Sequence, residues 1–132
     1  KNKIAEYSEK LFNHGIQTYL FIEPEEKMVR AAKEAHVSGV EFHTGSFARA
    51  FLIAKERDKE IERLRMASSF AHKESLEVHA GHGINYFNAS YLLPILEISE
   101  FNIGHAIISR SIAVGLNQAI YEMKKILDCN AV

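Results

Sequence analysis

The chain has 132 residues, 47% of them hydrophobic and 25% charged, with a formal net charge of −1. That is the size and balance of one globular domain, without the clustered basic face a nucleic-acid partner needs or an apolar run of membrane-spanning length. Cys129 is the only cysteine, which excludes an internal disulfide and fits a reducing, cytoplasmic setting.

The chain opens on Lys1-Asn2-Lys3-Ile4-Ala5-Glu6, with neither an initiator Met nor an apolar signal region. These residues read as the middle of a helix, so the chain is expected to begin inside a larger protein. Ile4, Leu11 and Phe12 continue a helix-period apolar face to the stop at Asn13-His14-Gly15. Ile16 to Ile22 is β-branched and aromatic and reads as a strand, ended by Glu23-Pro24. A helix is expected from Glu25 to Ala35, with Met28, Ala31, Ala32 and Ala35 on its apolar face. Val37 to His43 is the second strand, with a break at Gly39, and Thr44-Gly45-Ser46 is the loop after it. One long helical stretch follows from Phe47 to Lys73, bending near Glu56 to Lys59. Leu76 to His79 is the third strand. Tyr86 to Ser90 starts a further helix, shortened or kinked by Pro94. Phe101 to Ile103 is the fourth strand. A last helix spans Ile107 to Leu127, with Ile108, Ile112, Leu116, Ile120, Met123 and Leu127 along it.

The order is therefore a helix and then four strand–helix units, with no linker or low-complexity segment between them. Strands that alternate with helices imply a parallel α/β sheet with right-handed crossovers. The strands read as apolar on both faces, as strands covered by helices should be. The first strand lacks the G-x-G-x-x-G of a dinucleotide fold, and no phosphate loop of the G-x-x-x-x-G-K-[ST] type is present. A β/α barrel fits better, but a barrel needs eight strands. Four predict half of one.

Two stretches share a pattern: Leu76-Glu77-Val78-His79-Ala80-Gly81-His82-Gly83 and Phe101-Asn102-Ile103-Gly104-His105-Ala106. Each is a strand running into Gly-His at its C-terminal end, where parallel α/β folds collect ligands. Glycine permits sharp turns and close backbone approach, and histidine titrates near neutrality. Gly104 and His105 stand before a helix whose free N–H groups attract anions. This is a candidate phosphate site; otherwise Gly104 serves the turn and His105 caps or packs. Ser109 and Arg110 are possible supports. His82, between Gly81 and Gly83, has the access a general acid or base needs; the alternative is a loop histidine without substrate contact. Glu41 and His43 point to one side of their strand, and a carboxylate inside a covered strand must be paired. That favours an interior site over a solvated edge carboxylate, and His43 and Thr44 at the same strand end are further candidates. Glu77 and His79 repeat the alternation, but Glu77 lies at the N-terminal end and reads as a solvated residue. His43, His79, His82 and His105 lack metal-ligand spacing, so no metal is expected. The charged run Lys55 to Arg65 reads as a solvated helix face.

The motifs Phe21-Ile22-Glu23-Pro24, Glu41-Phe42-His43-Thr44-Gly45, Val78-His79-Ala80-Gly81-His82-Gly83-Ile84-Asn85-Tyr86 and Phe101-Asn102-Ile103-Gly104-His105-Ala106-Ile107-Ile108, in this order and spacing, resemble the pyridoxine 5'-phosphate synthases of bacterial vitamin B6 biosynthesis. The resemblance covers nearly the whole chain but only the C-terminal half of the family's length. It implies a (β/α)8 barrel of the TIM type, with residues 1–132 as its last four βα units. It also implies a transferase-type, ring-closing condensation of 3-amino-2-oxopropyl phosphate with 1-deoxy-D-xylulose 5-phosphate, giving pyridoxine 5'-phosphate, inorganic phosphate and water. By the same resemblance His82 is the proton donor, Glu41 stabilises the transition state, and Gly83, Gly104 and His105 contact the amino-ketone phosphate. No metal or organic cofactor is implied, and the assembly is a homo-octamer of the full-length protein. Glu23 stands where members often carry Asp, and Phe87 where a His is common. The family's early catalytic His and Glu, and its early basic residues for the second phosphate, have no counterpart here, so the chain alone is expected to be inactive. Two other readings remain open at this point: a non-catalytic half barrel that binds phosphate, and a metal-dependent hydrolase barrel.

Overall fold

A computed structural model describes residues 3–128; Cys129 lies outside them. Four strands, β1 (Tyr19–Ile22), β2 (Gly39–His43), β3 (Glu77–Gly81) and β4 (Ile98–Asn102), form one sheet in the order β1-β2-β3-β4, with every pairing parallel. The helices are α1 (Lys3–Phe12), α2 (Glu26–Glu34), α3 (Gly45–Ala50), α4 (Ala54–Lys73), α5 (His105–Val114) and α6 (Leu116–Asp128). Sequential order in a parallel sheet puts every crossover on the same face when each has the usual hand. The chain is thus an α/β fold compatible with part of a TIM-type barrel.

The two faces of the sheet differ, against the expectation that both are apolar. Val40, Phe42, Val78 and Ala80 are buried on the helix side against Val29, Ala32, Leu64, Ala67 and Ala71. Each large aliphatic or aromatic side chain there contributes about 1.5–3 kcal/mol. The opposite face carries Tyr19, Phe21, Glu41, His43, Glu77, His79, Glu100 and Asn102, and Phe21 on it is 56% exposed. The mixed face explains why β4 extends back to Ile98 beyond the expected Phe101: Ser99 and Glu100 break the apolar pattern, and the ladder resumes at Glu100 after a register shift between Val78 and His79 that passes over Ser99.

Glycines on that polar face decide its shape. Gly39 does not break β2. It pairs with Tyr19 and Glu77, and a Cβ there would stand 2.7 Å from Cε1 of Tyr19. Without that Cβ the Tyr19 ring leans over to stack on His79, with centroids 4.3 Å apart.

Several boundaries differ from the periodic reading. Residues 16–18 lie outside the β1 ladder, and Gly45 and Ser46 start a helix instead of a loop. The 47–73 stretch breaks at 51–53, where Ile53 is extended (φ −107°, ψ 99°), and not near 56–59. Phe51 is held there between Phe47 and Tyr91. The expected helix from Tyr86 is only a short 3₁₀ turn, Ala89–Tyr91. The last helix divides at Gly115, whose φ of +82° no helix accommodates. In α2 the buried residues are Val29 and Ala32, with Ala31 exposed. Ile4, Leu11 and Phe12 of α1 stay exposed around a buried Ser8. Among the described residues no helix is long and apolar enough to cross a membrane.

Candidate active site at the carboxyl ends of the strands

The C-terminal ends of β2, β3 and β4 meet at one rim. His82 and Gly83 follow β3, and Gly104 and His105 lead into α5; all four line one cleft of about 570 Å³ together with Ile84, Asn85, Asn102 and Ser109. The histidines of the two Gly-His pairs therefore face the same space. His105 is the first residue of α5 and exposed, and no side chain caps the helix start at Gly104. The first-turn N–H groups of this helix are the feature that attracts an anion.

Each glycine has a distinct physical reason. Gly81 is not at positive φ, so a sharp turn does not explain it. A Cβ there would overlap Oε1 of Glu41 and stand 3.0 Å from its Cδ. The missing side chain lets the Glu41 carboxylate lean across β3 to accept a hydrogen bond from Nδ2 of Asn102 at 2.8 Å. Glu41 is thus half-buried on a central strand, which excludes the edge-strand reading, and Asn102 ties it to the cleft. Gly83 combines φ +78° with a neighbour 2.6 Å from any added Cβ, that of Ala48. Gly104 has no protein atom within 4 Å of such a Cβ, so the space beside its backbone is open.

His82 has φ +78°, a region that costs a non-glycine residue about 1–3 kcal/mol and recurs at functional sites. Buried Thr44 holds the strained turn: its Oγ1 lies 2.8 Å from the Gly81 carbonyl oxygen and 2.6 Å from that of His82. Buried Asn88 donates from Nδ2 to the Gly83 carbonyl at 3.0 Å. Backbone pairing across β2 and β3 is completed by the Thr44 N–H donating to Gly81 at 2.8 Å.

His43 closes the rim. Its ring lies 4.7 Å from that of His82, and its Nδ1 is 2.7 Å from Oε1 of Glu23. The His43 hydrogen bond, reinforced by Arg63 (Nη2 to Oε2, 3.1 Å), holds the Glu23 carboxyl below its ordinary value despite partial burial. Arg63 also donates to Glu60 at 3.0 Å. Glu23, Asn102 and Arg63 were missed as site residues in the sequence. Glu23 looked like a strand terminator, and Arg63 lay in a run read as a solvated face; no local pattern marks a helix residue that reaches back to a strand end.

Other candidates stand elsewhere. Arg110 is bound to Glu122 of α6 (2.8 Å), away from an anion role, whereas Ser109 lines the cleft. Glu77 is exposed at the N-terminal end of β3, accepting from Tyr19 and Ser99, as its position predicted. His79 is buried between Tyr19, Glu77 and Glu100. Among the described residues no group of three or more His, Cys, Asp or Glu is placed to hold a metal ion.

The fold and rim define a parallel α/β protein with a cleft at the carboxyl ends of its strands, furnished with imidazoles, a hydrogen-bonded carboxylate beside it and a helix start. Residues 1–129 match the family described as "Pyridoxal phosphate biosynthesis protein PdxJ", and the chain belongs to that family. It is 44% identical over 110 residues to the pyridoxine 5'-phosphate synthase of Opitutus terrae, covering 83% of this chain and 44% of that protein. Identity to the synthase of Idiomarina loihiensis is 42% over 125 residues, covering 95% of this chain and 51% of that protein. For Chlorobium phaeobacteroides the figures are 43% over 124 residues, 94% and 52%. The chain spans about half the length of the curated relatives it matches.

Proposed function

We propose that this chain supplies the C-terminal half of the barrel and of the active site in a pyridoxine 5'-phosphate synthase. The reaction is the transferase-type condensation of 3-amino-2-oxopropyl phosphate with 1-deoxy-D-xylulose 5-phosphate, yielding pyridoxine 5'-phosphate, inorganic phosphate and water. The amino-ketone phosphate sits with its phosphate on Gly83, Gly104, His105 and the start of α5. His82 donates a proton to a departing oxygen, for which general acid catalysis contributes about 10²–10⁴ in rate. Glu41, held by Asn102, stabilises positive charge developing on the amine-derived part of the intermediate. His43 and Thr44 act behind His82. The site uses no metal or organic cofactor. The full-length protein works in the cytoplasm as a homo-octamer, and residues 1–132 alone, lacking the barrel's other half, do not turn over.

The observation that carries this reading is that His82 and the Gly104-His105 helix start line one cleft, with Glu41 linked to it through Asn102. The test is His82→Asn in the natural protein as its cell makes it. Turnover should fall by at least about 10², with the thermal midpoint unchanged and phosphate-ester binding retained. Normal turnover removes His82 from the mechanism. Phosphate binding by a natural protein without any synthase activity would favour a non-catalytic binding module instead.

A further inference from the structure

The His82 ring takes part in no hydrogen bond among the described residues; what touches it is the ring of His43, with centroids 4.7 Å apart at 59°. His82 is also exposed. An exposed imidazole without a hydrogen bond is free to rotate about its side-chain torsions, and orientation is what proton transfer in a fixed geometry requires. His43, in contrast, is anchored. Glu23 is ionised near neutrality and only accepts, so Nδ1 of His43 carries the proton of their 2.7 Å bond. Glu23 is held in turn by Arg63 at 3.1 Å, and Arg63 by Glu60 at 3.0 Å. Arg63 and Glu60 belong to α4, on the helix layer. The side-chain-free start of α3 makes room for both rings: a Cβ at Gly45 would stand 2.6 Å from Nε2 of His43 and 3.1 Å from Cδ2 of His82.

We propose that Glu23, Arg63 and His43 are positioning residues: a chain of charge-assisted hydrogen bonds runs from α4 to the His43 ring, and that ring sets the orientation of His82. The carboxylate plays the part of an orienting partner to an imidazole one step removed from the reacting group, as outer hydrogen bonds do for ligating histidines. This inference rests on the reading of His82 as the proton donor. It adds that the acid's geometry is fixed from β1 and the helix layer, although neither Glu23 nor Arg63 lines the cleft that holds His82 and His105.

The test uses the natural protein. Glu23→Gln keeps shape and removes charge. It should lower kcat about tenfold, within the ~10² that a misplacement of 1 Å can cost, and leave the KM of both phosphorylated substrates within about twofold. Arg63→Met should do the same more weakly. Glu23→Asp, which keeps the charge, should recover most of the loss. In the Glu23→Gln protein the ring signals of isotope-labelled His82 should broaden or shift, a change a purely structural defect elsewhere does not predict. Glu62→Gln, an exposed carboxylate paired with Arg65 on the same helix, serves as a control and should behave as the parent. If Glu23→Gln keeps full kcat while His82→Asn is slow, the brace is wrong and the donor assignment stands. A rise in KM at constant kcat overturns it too, since Glu23 would then be touching substrate. If both variants keep full activity, the assignment of His82 fails first.

Discussion

Gly81→Ala offers a sharp separation of stability from chemistry. The added Cβ would stand 2.0 Å from Oε1 of Glu41, which must retreat by about 1.4 Å or more to regain contact distance. The atom in the way is the far end of a flexible side chain, and the Cβ of Asn102, at 3.3 Å, needs only a small shift of β4, by a few tenths of an ångström. The loss is the Asn102–Glu41 hydrogen bond, about 1.5–3 kcal/mol for a charged partner and less where half-exposed. It is offset by the roughly 0.5–1 kcal/mol that alanine gains over glycine inside a strand. The net destabilisation should stay under about 2 kcal/mol, or about 4–8 °C in Tm for a domain of 150–250 residues. If Glu41 stabilises the transition state, however, a displacement of more than about 1 Å should slow turnover by at least about 10². Thermal unfolding and steady-state formation of pyridoxine 5'-phosphate, measured on one preparation of the natural protein, decide the matter. Parent-like kcat would refute the role given to Glu41. A loss of stability above about 3 kcal/mol would refute the claim that only a mobile carboxylate occupies that space.

Thr44→Val removes the hydroxyl that holds the Gly81 and His82 carbonyls; it should cost about 1–2 kcal/mol by denaturant unfolding and lower kcat several-fold, and an unchanged midpoint would show that the strained turn holds itself. The hydrogen bond from Tyr19 to Glu77, with burial and the negative charge of Glu77 adding to it, raises the Tyr19 phenol from 10.0 to about 12. A folded value above the unfolded one means a contribution complete below pH 10 and lost as pH rises toward 12. Urea midpoints taken at intervals from pH 9 to 12 should therefore fall more steeply for the parent than for Tyr19→Phe, and parallel curves would contradict that linkage.

The candidate site was partly legible because some of its signals are local. Gly-His after an apolar strand puts an accessible imidazole at the strand's carboxyl end wherever the sheet stands, and both histidines do line the cleft. The partners of those residues were not legible. Asn102 reads as an ordinary strand residue until β3 and β4 pair Gly81 with it. Glu23 meets His43 across 20 residues and Arg63 across 40, distances over which chain order says nothing about contact.

The succession of the four strands and the parallel α/β class followed from the sequence alone, because apolar periodicity and turn residues act within a few positions. Tertiary structure alone decided which face of the sheet was polar, where the long helical stretches broke, and why three glycines were glycines. Gly39 yields to a tyrosine ring, Gly81 to a carboxylate and Gly45 to two imidazoles. At Gly39, where the Glu77 carbonyl oxygen also stands 2.4 Å from an added Cβ, and at Gly81 the constraint comes from other strands, and at Gly45 in part from His82 beyond β3; excluded volume between distant segments exists only once the sheet has brought them together.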